Sequence, residues 1–158
     1  MIQNYFEDFR DFISLLKKYE VEYMIVGGYA VSIYSQPRST QDIDVWIKST
    51  KENAEKVLKV IDEFGFGYLG ITLIDLTDEY TVVQLGNPPI RIDLMSSIDG
   101  VEFAKAYKNK SLFSYFDITG VSYISLEDLI KNKKSSGRNK DFNDINWLEK
   151  YGKDSKEI

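Results

Sequence analysis

A chain of 158 residues is the size of one domain, 1–158, and 43% hydrophobic with 14% aromatic residues supplies a core that can bury about two-thirds of the unfolded surface. It holds no Cys and no His, which excludes Ser-His-Asp and Cys-His nucleophile systems, thiolate or imidazole zinc sites and a disulfide framework. Lys plus Arg number 20 against 25 Asp plus Glu, a net charge of −5, so any contact with nucleic acid has to come from a local basic patch.

From Asn4 to Tyr19, Phe6, Phe9, Phe12, Ile13 and Leu16 recur at three- and four-residue steps and predict an amphipathic helix ending in Lys17-Lys18. Tyr23 to Val26 is a compact apolar run that predicts a buried strand; Gly27-Gly28 turns it into a short helix over 29–34. After Pro37, Asp42 to Ile47 alternates and is rich in β-branched and aromatic residues, which predicts a second strand. Ser49 and Glu52 match a capping box opening a helix to about Phe64, with Ala54, Val57, Leu58 and Ile61 on one face.

Tyr80 to Leu85 and Ile90 to Met95 flank Asn87-Pro88-Pro89 and predict a hairpin. A helix is expected over 100–107, and a second strand pair over 112–124, turning around Thr119-Gly120. Ser125 caps a further helix, and Arg138 to Tyr151 forms the last, with Phe142, Ile145 and Leu148 at helical spacing. The polar tail after Gly152 is expected to fray. This order predicts an α+β domain, a small mixed β-sheet flanked by helices. The longest uncharged stretch, Tyr23 to Pro37, falls short of a membrane span, and Glu7 and Asp8 replace the basic start of a signal peptide. A cytoplasmic protein is the expectation.

Chemistry concentrates around Gly27-Gly28 and the Arg38-Ser39-Thr40-Gln41-Asp42-Ile43-Asp44 segment. Side chains at i and i+2 of a strand share a face, so Asp42 and Asp44 present two carboxylates together. Their repulsion would be relieved by a cation, and two divalent ions about 3.5–4 Å apart could be bridged by such a pair. Asp93 sits in an otherwise apolar strand; were that strand beside the first, three carboxylates would converge. With no imidazole or thiol available, the metal is Mg²⁺ or Mn²⁺, or Ca²⁺. The glycines let a phosphate approach the backbone at a helix N-terminus. Taken singly, Gly27-Gly28 is an ordinary turn, Asp42 and Asp44 a solvated pair, and Asp93 a partner of Arg91 or Lys105.

The Gly-Gly turn, the Asp-Ile-Asp strand and the later strand acid, in this order, resemble the DNA polymerase β-type nucleotidyltransferase superfamily over nearly the whole chain. The run from Leu129 to Asp141 is similar to its small prokaryotic branch, which includes the AbiEii-type toxins and minimal nucleotidyltransferases of toxin-antitoxin systems. The resemblance implies transfer of a nucleoside monophosphate from an NTP to a hydroxyl, with release of pyrophosphate. It implies that Gly27 and Gly28 hold the triphosphate, that Asp42 and Asp44 bind Mg²⁺, and that Asp93 shares the catalytic metal. It places Lys133, Arg138 and Lys140 near the phosphates, with Asp141 and Asp144 orienting them. Arg38 and Thr40 either brace the metal strand or touch the nucleotide.

No acceptor-binding domain is recognisable, and no residue identifies how the acceptor, whether RNA, protein or small molecule, is read; a bound partner chain could supply that function. Two rival readings stand beside this one. The first is a non-catalytic nucleotide-binding or antitoxin-like module of the same fold. The second is a structural acidic site, and it lacks the ligand spacing of an EF-hand.

Overall fold

The computed structural model describes residues 5–35 and 42–152, with side chains from residue 8 onward except those of Asn139 and Lys140. In chain order they form α1 (Tyr5–Lys18), β1 (Tyr23–Val26), α2 (Gly27–Tyr34), β2 (Asp42–Ile47), α3 (Lys51–Ile61), α4 (Leu73–Thr77), β3 (Val82–Asn87) and β4 (Ile90–Met95). There follow α5 (Phe103–Lys108), β5 (Ser111–Tyr115), β6 (Ile118–Tyr123), α6 (Leu126–Ser136) and α7 (Asn139–Tyr151). This is the expected α+β arrangement. Among the described residues no helix is long and apolar enough to cross a membrane.

The strands build one six-stranded sheet in the order β3-β4-β2-β1-β6-β5. Pairing is mixed: β1 is antiparallel to β2 and parallel to β6, β2 is parallel to β4, and the two hairpins β3-β4 and β5-β6 form the edges. The alternation of β2 explains its central place. Ile43, Val45 and Ile47 are buried on one face, while Asp42 and Asp44 stand on the other. The inward faces of α1 (Phe9, Phe12, Ile13, Leu16) and α3 (Ala54, Val57, Val60, Ile61) complete the core.

Three local expectations are corrected. The cap of α3 is Thr50, whose side chain accepts from Asn53 N, rather than Ser49. Starting one residue later turns Asn53 inward, where its amide donates to Glu22 O and Lys48 O, each at 3.0 Å, and accepts from Glu22 N at 2.8 Å. The second hairpin turns at Phe116-Asp117 rather than at Thr119-Gly120; Gly120 lies within β6. Asp117 is fixed there by Arg10 Nε of α1 at 2.5 Å. Phe142, expected on the inner face of α7, is 57% exposed. Asp141 and Asp144 take that face together with Ile145 and Leu148, because their partner is a buried lysine.

That lysine, Lys133 of α6, ties the last two helices together. Its Nζ lies 2.9 Å from Asp141 Oδ1 and 3.2 Å from Asp144 Oδ2. Asp141 is fully buried, and its second oxygen accepts from Arg138 Nε at 2.8 Å and from Ser136 Oγ. Burial pushes the Asp141 carboxyl up, but hydrogen bonds from Ser136, Lys133 and Arg138 outweigh it and hold the group down at about 2. Removing one partner of a buried pair costs about 3–5 kcal/mol, and Asp144 still serves Lys133, so Asp141→Asn should cost about 3 kcal/mol at pH 7. The folded value lies below the ordinary 3.8. This stabilisation is therefore complete above pH 4 or so and fades as pH falls toward 2. Urea unfolding at pH 7 and pH 3 checks both points: the gap between wild type and Asp141→Asn should narrow in acid, and equal midpoints at pH 7 would remove the latch from the account.

Candidate functional site

Parallel pairing of β2 with β4 sets Asp42 opposite Arg91 and Asp44 opposite Asp93. All four side chains therefore share one face of the sheet. The carboxylates of Asp42, Asp44 and Asp93 each offer an oxygen within 4.8 Å of the others. On the other side of β2, β1 runs antiparallel with Val26 opposite Asp44, so the chain leaves β1 directly over that carboxylate.

Gly27 begins α2 there with φ of +66°, and a Cβ at this position would overlap Asp44 Oδ2. Only glycine combines the left-handed conformation with so close an approach. Val26 offers no side-chain cap to α2. The first N–H groups of that helix consequently open beside the carboxylates as potential anion donors.

Electrostatics in the cluster are uneven. Arg91 bridges two of the acids: Nη2 donates to Asp42 Oδ2 at 2.8 Å, and Nε donates to Asp93 Oδ1 at 2.9 Å. No described residue donates a hydrogen bond to Asp44. Burial, then Asp42 and Asp93, push its carboxyl up to about 7 against the pull of Arg91 and Lys133. Burial likewise raises Asp93, in spite of its bonds from Arg91. Arg91 and Lys133 thus do not offset the negative charge at Asp44, and three hard oxygen donors around that deficit suit a divalent ion of the Mg²⁺ or Mn²⁺ kind.

A cavity of about 520 Å³ opens over the cluster, lined among others by Gly27, Asp44, Asp93, Lys133, Ser136 and Arg138. The structure thus brings Gly27, the three acids, Lys133 and Arg138 to one place. Lys133 reaches it already engaged by Asp141 and Asp144, whereas the Arg138 side chain is 58% exposed. Arg38 and Thr40 lie outside the described residues, as does the side chain of Lys140. Lys105, one alternative partner for Asp93, instead faces Glu102 at 3.3 Å.

Two participants were not singled out from the sequence as members of the site. Arg91 sits two residues before Asp93 and therefore shares its face, a relation readable from strand alternation alone. Ser136 has no such signal, since its place depends on how α6 packs.

The family model described as "Nucleotidyl transferase of unknown function (DUF2204)" matches residues 5–158. No curated protein matches the chain. With that match running through the sheet, the carboxylate cluster and both C-terminal helices, the chain belongs to this nucleotidyl transferase family.

Proposed function

We propose that the protein is a single-domain, divalent-metal-dependent nucleotidyltransferase, of the polymerase β type and akin to its AbiEii-like small prokaryotic branch. It would move a nucleoside monophosphate from an NTP to a hydroxyl acceptor. The observation that carries this reading is the convergence of Asp42, Asp44 and Asp93 within 4.8 Å beneath a helix start that only Gly27 permits.

Asp42, Asp44 and Asp93 would hold the metal, which lowers the pKa of an attacking hydroxyl and neutralises charge on the triphosphate. The N–H groups at the start of α2 take phosphate oxygens, with Gly27 and Gly28 keeping that approach clear. Arg138, held through its Nε by Asp141 and with a largely exposed side chain, is placed to meet the leaving phosphates. Lys133 contributes as a buried positive charge beside Asp44, and Asp141 and Asp144 fix its position.

In the transfer, the acceptor oxygen bonds to the α-phosphorus and its proton passes to the Asp93 carboxylate. The bond from that phosphorus to the β-bridging oxygen breaks, and pyrophosphate leaves with the electron pair. Catalysis is alignment and charge stabilisation, as in phosphoryl transfer generally.

Arg91 favours a second reading. By bridging two of the acids it stabilises the cluster without a metal, as a non-catalytic nucleotide-binding module would require. One experiment separates the two. Wild type and Asp44→Asn are incubated with each α-labelled NTP, Mg²⁺ or Mn²⁺, and a cell extract divided into RNA, protein and small-molecule fractions. Transfer by wild type should fall on the order of 10²–10³-fold in the variant, the usual cost of losing one charge-stabilising group. NTP binding without any transfer would instead establish the binding module.

Gly27→Ala tests the cradle independently. The left-handed backbone alone should cost about 1–2 kcal/mol of stability, and the new methyl group should weaken NTP binding by displacing Asp44. Calorimetric titration of NTP with Mg²⁺ reads the second effect, and wild-type affinity in a folded Gly27→Ala protein would remove Gly27 from the phosphate site.

A further inference from the structure

A second hollow, of about 510 Å³, lies along α6 next to the carboxylate cavity and is lined among others by Lys105, Lys108, Asp128 and Lys131. They meet at the turn around Asp99-Gly100, where Asp99 lines the first and Gly100 the second. Asn132 Nδ2 donates to Asp99 O at 3.0 Å, and a Cβ on Gly100 would overlap Ser135 Oγ. The turn is therefore packed closely on α6. Asp128 and Asn132 are one helical turn apart, about 6 Å of rise.

Asp128 is the unexplained group in this hollow. It is 7% exposed, and its Oδ2 is buried without a hydrogen-bond partner. Its backbone N–H goes to Ser125 Oγ at 3.1 Å, and the start of α6 favours its charge. Neither supplies a donor to the carboxylate, and buried polar atoms left unpaired are rare. The lysines around it do not serve either. Lys131 pairs with Glu127 at 3.6 Å and Lys105 with Glu102 at 3.3 Å, while no described residue forms an ion pair with Lys108.

A ligand for this hollow has to satisfy both features. The hollow sets three ammonium groups, two of them shared with Glu102 and Glu127 at its exposed edge, against the buried Asp128 carboxylate, so neither a simple cation nor a bare phosphate answers both. A molecule carrying hydroxyl donors for Asp128 and phosphate for the lysines fits both, and carboxylates commonly bind ribose through its hydroxyls. We propose that the hollow holds a ribose phosphate of the acceptor, which would make the acceptor a ribonucleotide, either free or as the end of an RNA strand. The inference rests on the nucleotidyltransferase reading of the neighbouring cavity. It assigns to this chain the acceptor recognition that a partner chain could otherwise supply.

The test is fluorescence anisotropy with a 5′-labelled single-stranded RNA and a DNA of the same sequence, in Mg²⁺ without NTP. Wild type should bind RNA about tenfold more tightly than DNA, the scale of a hydrogen bond to a charged group and of a site that reads the 2′-hydroxyl. Asp128→Asn should bring RNA down toward the DNA value. A Lys105→Glu/Lys108→Glu protein, altered at two exposed positions, should weaken both and reduce the salt slope by about 1.4, at roughly 0.7 per phosphate on a single strand. Competition by 5′-AMP would identify a site for a free ribonucleotide, and its failure to displace RNA a site for a strand end.

Equal binding of RNA and DNA by wild type, or unchanged RNA binding in both variants, overturns the inference. Calorimetry of NTP binding on the same proteins keeps the two readings apart: retained NTP binding and label transfer alongside absent RNA recognition would leave the transferase standing without this acceptor. Should Asp128→Asn fail to fold, the lysine variant and the comparison of RNA with DNA decide the matter.

Discussion

Three carboxylates held on one face of a sheet are the constraint around which this protein is arranged. At the separations in the cluster, within 4.8 Å, two like charges repel by about 3 kcal/mol at an effective dielectric of about 20. Backbone pairing in the sheet fixes the acids in register, so they cannot move apart to lower that cost. The protein answers with Arg91 for Asp42 and Asp93 and leaves Asp44 without a hydrogen-bonded partner among the described residues. Burial and the two neighbouring acids then push Asp44 up to about 7. An acid so destabilised as an anion gains most from an added cation, which is why the site is organised around Asp44.

The C-terminal helices extend the same logic at a distance from the carboxylate cluster. A lysine as buried as Lys133 needs opposite charge, and Asp141 and Asp144 supply it across the α6-α7 junction. The pair and its neighbours Ser136 and Arg138 replace apolar contacts that α7 would otherwise make, and Phe142 is displaced to the surface as a result. Buried ion pairs of this sort are weak sources of net stability. Their value here is positional: they fix a positive charge beside Asp44 and hold the base of Arg138 at the rim of the cavity.

The sheet and the acids were legible in the sequence because strand alternation is a local property. Asp42 and Asp44 must share a face, and Arg91 and Asp93 must do the same, whatever the rest of the chain does. That β4 lies beside β2 is not local, and only the pairing in the fold settles it. Hydrophobic spacing placed α1 and α3 well, since their inner faces contact an apolar sheet. It failed at Phe142, where the inner face answers to a buried charge and hydropathy carries no signal. The choice of Thr50 over Ser49 as a cap turned on the non-local role of Asn53, whose amide joins the start of β1 to the end of β2.

Glycine links these levels. Gly27 serves the backbone with its positive φ and serves the chemistry by letting β1 pass directly over Asp44. Gly100 does the equivalent between the two hollows, where the absence of a side chain lets the Asp99-Gly100 turn lie against Ser135. A residue with a Cβ at either place would push apart the elements that meet there. At Gly27 it would separate the helix start from the carboxylates. At Gly100 it would push the Asp99-Gly100 turn off α6, between the carboxylate cavity and the lysine-lined hollow. The same property, lack of a side chain, thus sets the distance between helix start and carboxylate at one point and the seat of the turn on α6 at the other.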